Sequence, residues 1–166
     1  MIQTSRSELE ALAAEAQGDL WSRKPSEDEW SAGEVVEHLV LAEEMFLPLV
    51  ARTLQGEPDP DWQGIAQRGT AALEANLQDR SRKFQAPEML QPAGEAPRDE
   101  LLARFAKGRT LMLDLVRSTD APVKQLTYEG PPGHLNVHQW LALVGAHTLR
   151  HNQQIREVLD AVGSGD

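Results

Sequence analysis

Apolar residues recur at three- and four-residue spacing along almost the whole chain, and the period-two alternation of a half-buried strand is nearly absent. Such a chain buries helical stripes against one another, which confines it to helix-on-helix architectures. Two helix starts are spelled out in full. In Trp30-Ser31-Ala32-Gly33-Glu34-Val35, Ser31 stands at an N-cap, Glu34 at the third helical position, and Trp30 and Val35 where a hydrophobic staple forms. The stripe continues through Leu39, Ala42, Phe46 and Leu49, predicting a helix over 31–55, kinked near Pro48 and stopped by Gly56 and Pro58. In Leu135-Asn136-Val137-His138-Gln139-Trp140 the pattern returns: Asn136 caps, Gln139 reaches back, and Leu135 and Trp140 make the staple. The stripe of this last helix runs Trp140, Leu143, Val144, His147, His151, Ile155, Val158 and Leu159, and stops before Gly163.

The other elements are read with the same signals. Ser5 and Glu8 form a capping-box pattern, and Leu9, Leu12, Ala13 and Ala16 mark one face, predicting a helix over 5–18. A weaker helical pattern covers 61–83, with Trp62, Ile65, Leu73 and Leu77 diluted by Gly64 and Gly69. Pro87, Pro92, Gly94 and Pro97 make 85–97 a loop, and a strong helix follows over 98–118 with Leu101, Phe105, Met112 and Leu115 inward. Residues 119–135 read as another loop ending in Gly130-Pro131-Pro132-Gly133, in which 123–128 is too short to predict a sheet. The expectation is an all-α chain: a four-helix bundle with an extra weaker helix and long Pro/Gly-rich loops, forming a single domain over 1–166. No repeat interrupts that reading.

Composition removes several functions. There is no Cys, so disulfides, thiolate zinc sites, iron–sulfur clusters and a cysteine nucleophile are excluded, and any metal has to be held by His and carboxylates. Sixteen Lys and Arg against 26 Asp and Glu give a net charge of −10, which argues against nucleic acid and anionic membrane as partners. The short basic run at Arg80, Arg82 and Lys83 reads as a solvated helix end. No apolar run is long enough to span a bilayer, and the first residues lack a signal-peptide pattern, so a cytoplasmic protein is expected.

The histidines carry the chemistry. His147 and His151 lie at i and i+4 on the last helix, one turn apart on one face, close enough to share an ion. His38 sits among Val35, Ala42 and Met45 on its own helix, so all three imidazoles meet if the two helices pack together. Each has a second reading, a hydrogen-bonded core histidine that binds nothing. His134 and His138 lie at the mouth of the last helix, His138 roughly 13 Å along the axis from His147, and read as rim residues. Trp30 and Trp140 read first as core closure, although Trp140, seven residues before His147, shares its face and is a candidate pocket wall.

Three stretches together resemble the DinB/YfiT-like superfamily of bacterial metal-binding four-helix proteins: Trp30-Ser31 through His38-Leu39, the pair in His147-Thr148-Leu149-Arg150-His151, and the trailing Asn152-Gln153-Gln154-Ile155. The likeness spans essentially the whole chain. It implies a bundle holding a divalent ion through His38, His147 and His151, commonly nickel or zinc, with manganese or iron as alternatives, and frequent homodimers. It also implies transferases that use low-molecular-weight thiols such as bacillithiol, mycothiol or glutathione.

An ion on three neutral imidazoles keeps its charge and open positions, the pattern of a catalytic site working through a metal-bound water or thiolate. A chain without Cys would take that thiol from a cosubstrate. The motif His-Thr-Leu-Arg-His lacks the glutamate of HExxH metalloproteases, so protease activity is not expected. Gln154 is positioned to orient an imidazole or touch substrate; Arg150 reads as a solvated side chain or a carboxylate binder; Glu34 serves the cap and Glu37 points outward. The expected function is a metal-dependent thiol transferase or hydrolase, with a non-catalytic metal-binding or stress-response protein as the alternative.

Overall fold

The computed structural model describes residues 1–81, 84–130 and 133–164. Four long helices dominate: α1 Ile2–Glu15, α3 Ala32–Thr53, α6 Arg98–Arg117 and α7 Val137–Gly163. Between them lie the short helices α2 Asp19–Ser22, α4 Trp62–Gln67 and α5 Ala71–Gln78, a 3-10 turn at Glu88–Leu90, and two strands, β1 Thr127–Gly130 and β2 Gly133–Asn136. α7 packs on α1, α3 and α5, and α3 packs on α6, so the bundle is built around α3 and α7. Leu9 and Leu12 of α1, Leu39 of α3, Phe105 of α6 and Ile155 of α7 meet in one core cluster. Burying each such side chain contributes about 1.5–3 kcal/mol. Among the described residues no helix is long and apolar enough to cross a membrane.

Both capping boxes form as the sequence spells them. Ser31 Oγ accepts from Glu34 N at 3.2 Å and Glu34 Oε2 accepts from Ser31 N at 2.8 Å. Asn136 Oδ1 accepts from Gln139 N at 2.9 Å and Gln139 Oε1 accepts from Asn136 N at 3.0 Å. Gln139 also donates through Nε2 to Ile65 O and Gly69 O, tying the corner between α4 and α5 to the start of α7.

The first helix differs from expectation. It begins at Ile2, and Ser5 lies inside it, donating to Ile2 O at 3.0 Å. Glu8 turns to tertiary partners, Asn152 and Arg156 of α7. The weak 61–83 pattern resolves into α4 and α5, separated at Gly69, whose φ of +62° only glycine adopts without strain. α7 runs on to Gly163 rather than stopping before it.

The small sheet was not expected. β1 and β2 pair antiparallel with Thr127 opposite Asn136 and Gly130 opposite Gly133. Pro131 and Pro132 of the expected loop, and Arg82 and Lys83 of the basic run, lie outside the described residues. Arg80, the third member of that run, pairs with Glu157 of α7.

Candidate metal centre

His38 comes from the second turn of α3, with Val35 and Leu39 fully buried beside it. His147 and His151 come from the middle of α7, between the buried Val144 and Ile155. Packing of α3 on α7 brings the rings together. His38 Nε2 lies 3.3 Å from His147 Nε2, and His151 Nε2 lies 3.1 Å from the same atom. Ring centroids are separated by 4.6–5.2 Å, all in edge-on arrangements.

The outer nitrogens define the tautomers. His38 Nδ1 is 2.8 Å from Leu90 O, and a carbonyl can only accept, so Nδ1 carries the proton and Nε2 presents a lone pair. His151 Nδ1 likewise donates to Gln154 Oε1 at 2.8 Å. Burial lowers the pKa of all three rings. His38 is lowered by burial against the opposing Leu90 carbonyl, and His151 well below its ordinary value by burial and then by His147 and His38. His147 is pushed down to about 3 by burial, with His38, Arg150 and Arg109 adding to it. Three neutral imidazoles therefore face one another at neutral pH.

The two spacings measured from His147 suit a metal ion. With Zn–N bonds of about 2.0–2.1 Å, the edge between two ligands is about 3.3–3.4 Å in a tetrahedron and about 2.9 Å between cis ligands of an octahedron. The observed 3.1 and 3.3 Å fall in that range. Among the described residues, His38, His147 and His151 form the one group of His, Asp or Glu side chains placed to hold an ion, their donor atoms all within 4.8 Å of one another. No carboxylate belongs to the group, so coordination positions stay open.

Other expectations are corrected. Arg150 is not solvated: it is 6% exposed and donates to Leu77 O at 3.1 Å and Asp79 O at 2.7 Å, satisfying carbonyls at the end of α5. Trp140 closes the core, as its first reading has it, in a cluster with Leu135, Leu143, Phe46 and Tyr128 rather than against the histidines. The aromatic ring against the histidines is Trp30, 5.1 Å from His38. Glu37 does not point outward; it is 8% exposed and accepts from Gly94 N at 2.8 Å. His134 of β2 engages Thr127 of β1 and Asp59 from the segment between α3 and α4, and His138 is exposed, as rim residues would be.

Two features escaped the sequence reading. One is the Leu90 carbonyl, a backbone atom with no sequence signature. The other is a buried polar layer beside the histidines, where Arg109 donates to Glu43 and, at 2.7 Å, to Thr148 Oγ1. Here a signal existed: Glu43 lies between Leu39 and Phe46 on one apolar stripe, and Arg109 between Phe105 and Met112 on another.

Comparisons with known proteins agree with this architecture. The family model described as the DinB superfamily matches residues 1–155. The Bacillus subtilis (strain 168) protein YuaE is 28% identical over 152 residues, covering 85% of this chain and 84% of its own. The crystal structure of TT2238, a four-helix bundle protein, superposes with a TM-score of 0.56 at 23% identity, covering 94% of this chain and 93% of that one.

Proposed function

The chain belongs to the DinB superfamily, and on that premise we propose that it binds a divalent metal ion through His38, His147 and His151 and acts as a metal-dependent thiol S-transferase or hydrolase. The observation that carries the reading is the convergence of three neutral imidazoles, the Nε2 atoms of His38 and His151 lying 3.3 and 3.1 Å from that of His147, with the outer nitrogens of His38 and His151 tied down. Nickel or zinc suits an all-imidazole donor set best, with manganese or iron behind them. When bound, such an ion acts as a Lewis acid with free positions, able to lower the pKa of a water or thiol and to polarise a carbonyl.

The chain's own residues supply orientation and dryness. Leu90 O and Gln154 hold two rings with their lone pairs inward, and Trp30 covers one side of His38. Because the chain has no Cys, a low-molecular-weight thiol would enter as cosubstrate. The burial of His38 and His151, 4% and 8% exposed, favours a second reading, a non-catalytic metal-binding protein.

Elemental analysis of untagged protein, beside a His147→Ala/His151→Ala double variant, tests the site. The expected result is near-stoichiometric metal in the wild type, lost in the variant. Thiol-dependent turnover of a reactive electrophile, lost in His151→Ala, then supports the enzyme over the binding protein. Wild type without metal, and with no uptake of added divalent ions, refutes both.

A further inference from the structure

His38 is held from outside by the segment 88–94, and that segment is itself held by the residue before His38. Glu34, Glu37 and His38 share one face of α3, at i, i+3 and i+4. The segment crosses that face. Its 3-10 turn at Glu88–Leu90 ends with the Leu90 carbonyl on His38 Nδ1 at 2.8 Å, and four residues on, Gly94 N donates to Glu37 Oε2 at 2.8 Å. Gly94 has φ +74°, and a Cβ there would stand 3.4 Å from Glu34 Oε1, so the backbone at this point lies directly on the first turns of α3. Glu37 is 8% exposed, and a carboxylate that deeply covered needs a donor.

We propose that Glu37 is a positioning residue for His38, acting through the 88–94 strap: its carboxylate anchors Gly94 and thereby keeps the Leu90 carbonyl against Nδ1, which holds the His38 lone pair on Nε2. The proposal rests on the reading of the three histidines as metal ligands. A ring not held in this way flips or changes tautomer and presents its Nε2 only part of the time, which weakens binding by the 10–100-fold, roughly, that follows loss of an orienting partner.

Three variants test it. Glu37→Ala removes the acceptor, Glu37→Met removes it while filling the same space, and Glu37→Gln keeps an amide oxygen for the Gly94 N–H. In metal-free protein, long-range 1H–15N correlation reads the His38 tautomer. In cobalt-loaded protein, the d–d bands read ligand geometry and competition reads Kd. The expected result is a protonated Nδ1 in wild type and Glu37→Gln, a mixed tautomer in Glu37→Ala and Glu37→Met, and cobalt affinity at least about 10-fold weaker in those two with shifted bands. Unchanged tautomer and affinity in a folded Glu37→Met overturn the proposal. So does a Glu37→Gln as weak as Glu37→Met, which would make the charge rather than the acceptor responsible. Wild type that takes up no cobalt defeats the metal reading instead, and the tautomer measurement still decides the strap.

Discussion

Replacing Arg109 by Met tests how the bundle tolerates charge in its core. Arg109 is 0% exposed and Glu43 3%. The guanidinium donates to Glu43, to Thr148 at 2.7 Å and to Ile2 O at 3.3 Å, while Glu43 Oε2 and Arg109 Nε have no partner among the described residues. Removing one member of a buried pair strands the other charge, at a cost of about 3–5 kcal/mol. For a chain of this size that corresponds to a fall in Tm of about 6–20 °C. Replacing both members, as Glu43→Leu/Arg109→Met, leaves no charge to desolvate and should return stability to within about 1 kcal/mol of wild type, or above it.

The pH dependence of the single variant has a definite sign. Burial already raises the Glu43 carboxyl above its ordinary 4.5, and Arg109 is the main group opposing that rise. Without Arg109 the folded pKa climbs further, so between 4.5 and that value the folded chain holds a proton that the unfolded chain has lost. The deficit against wild type is therefore largest at high pH and shrinks as pH falls toward 4.5. Urea unfolding followed by far-UV circular dichroism at pH 7.5 and 5 measures both effects. A single variant within about 1 kcal/mol of wild type, or a double variant no more stable than the single one, refutes the reasoning.

Gln154→Leu removes the acceptor of His151 Nδ1–H and should weaken divalent-metal binding about 10-fold by calorimetric titration, with unchanged affinity as the contrary result. His147 is neutral when folded, with a pKa of about 3 against an ordinary 6.5, so below 6.5 the unfolded chain binds the extra proton and stability falls with pH. Metal-free wild type should lose about 1 kcal/mol more than His147→Asn between pH 6.5 and 5.5, and equal slopes in urea unfolding would contradict this. Asn152, fully buried, donates to Ser5 O and Glu8; Asn152→Ala should cost about 1–3 kcal/mol, whereas Arg156→Ala, at the exposed side of the same Glu8, should cost under about 1 kcal/mol. Equal losses would show that burial does not decide between them.

What could be read from the chain is what is local to it. The caps at Ser31 and Asn136 and the pairing of His147 with His151 all lie within one or two turns, where spacing dictates contact. The same logic misplaced α1, because Ser5 and Glu8 satisfy the capping-box pattern without using it: Ser5 bonds back to Ile2 O, and Glu8 is drawn to Asn152 and Arg156, distant in sequence. Glu37 and Arg150 looked solvated because both are charged, yet each is buried against backbone polar groups of a crossing segment. Amide and carbonyl partners of that kind leave no mark on residue type. The β1–β2 pair was missed because four-residue strands carry too little alternation to register.

The caps also explain why the histidines meet at all. An α-helix turns by about 100° per residue, so a residue seven after its cap returns to within about 20° of the cap's direction, one 11 after to within about 20° on the other side, and one 15 after to within about 60°. Those are the offsets of His38 from Ser31 and of His147 and His151 from Asn136. Both caps face inward, Ser31 at 3% and Asn136 at 1% exposed. Cap and histidines of each helix therefore share one face, and the burial that turns the cap inward turns the histidines inward with it. Packing has only to bring two pre-aimed faces together, and the fine placement of the His38 and His151 rings is left to Leu90 O and Gln154.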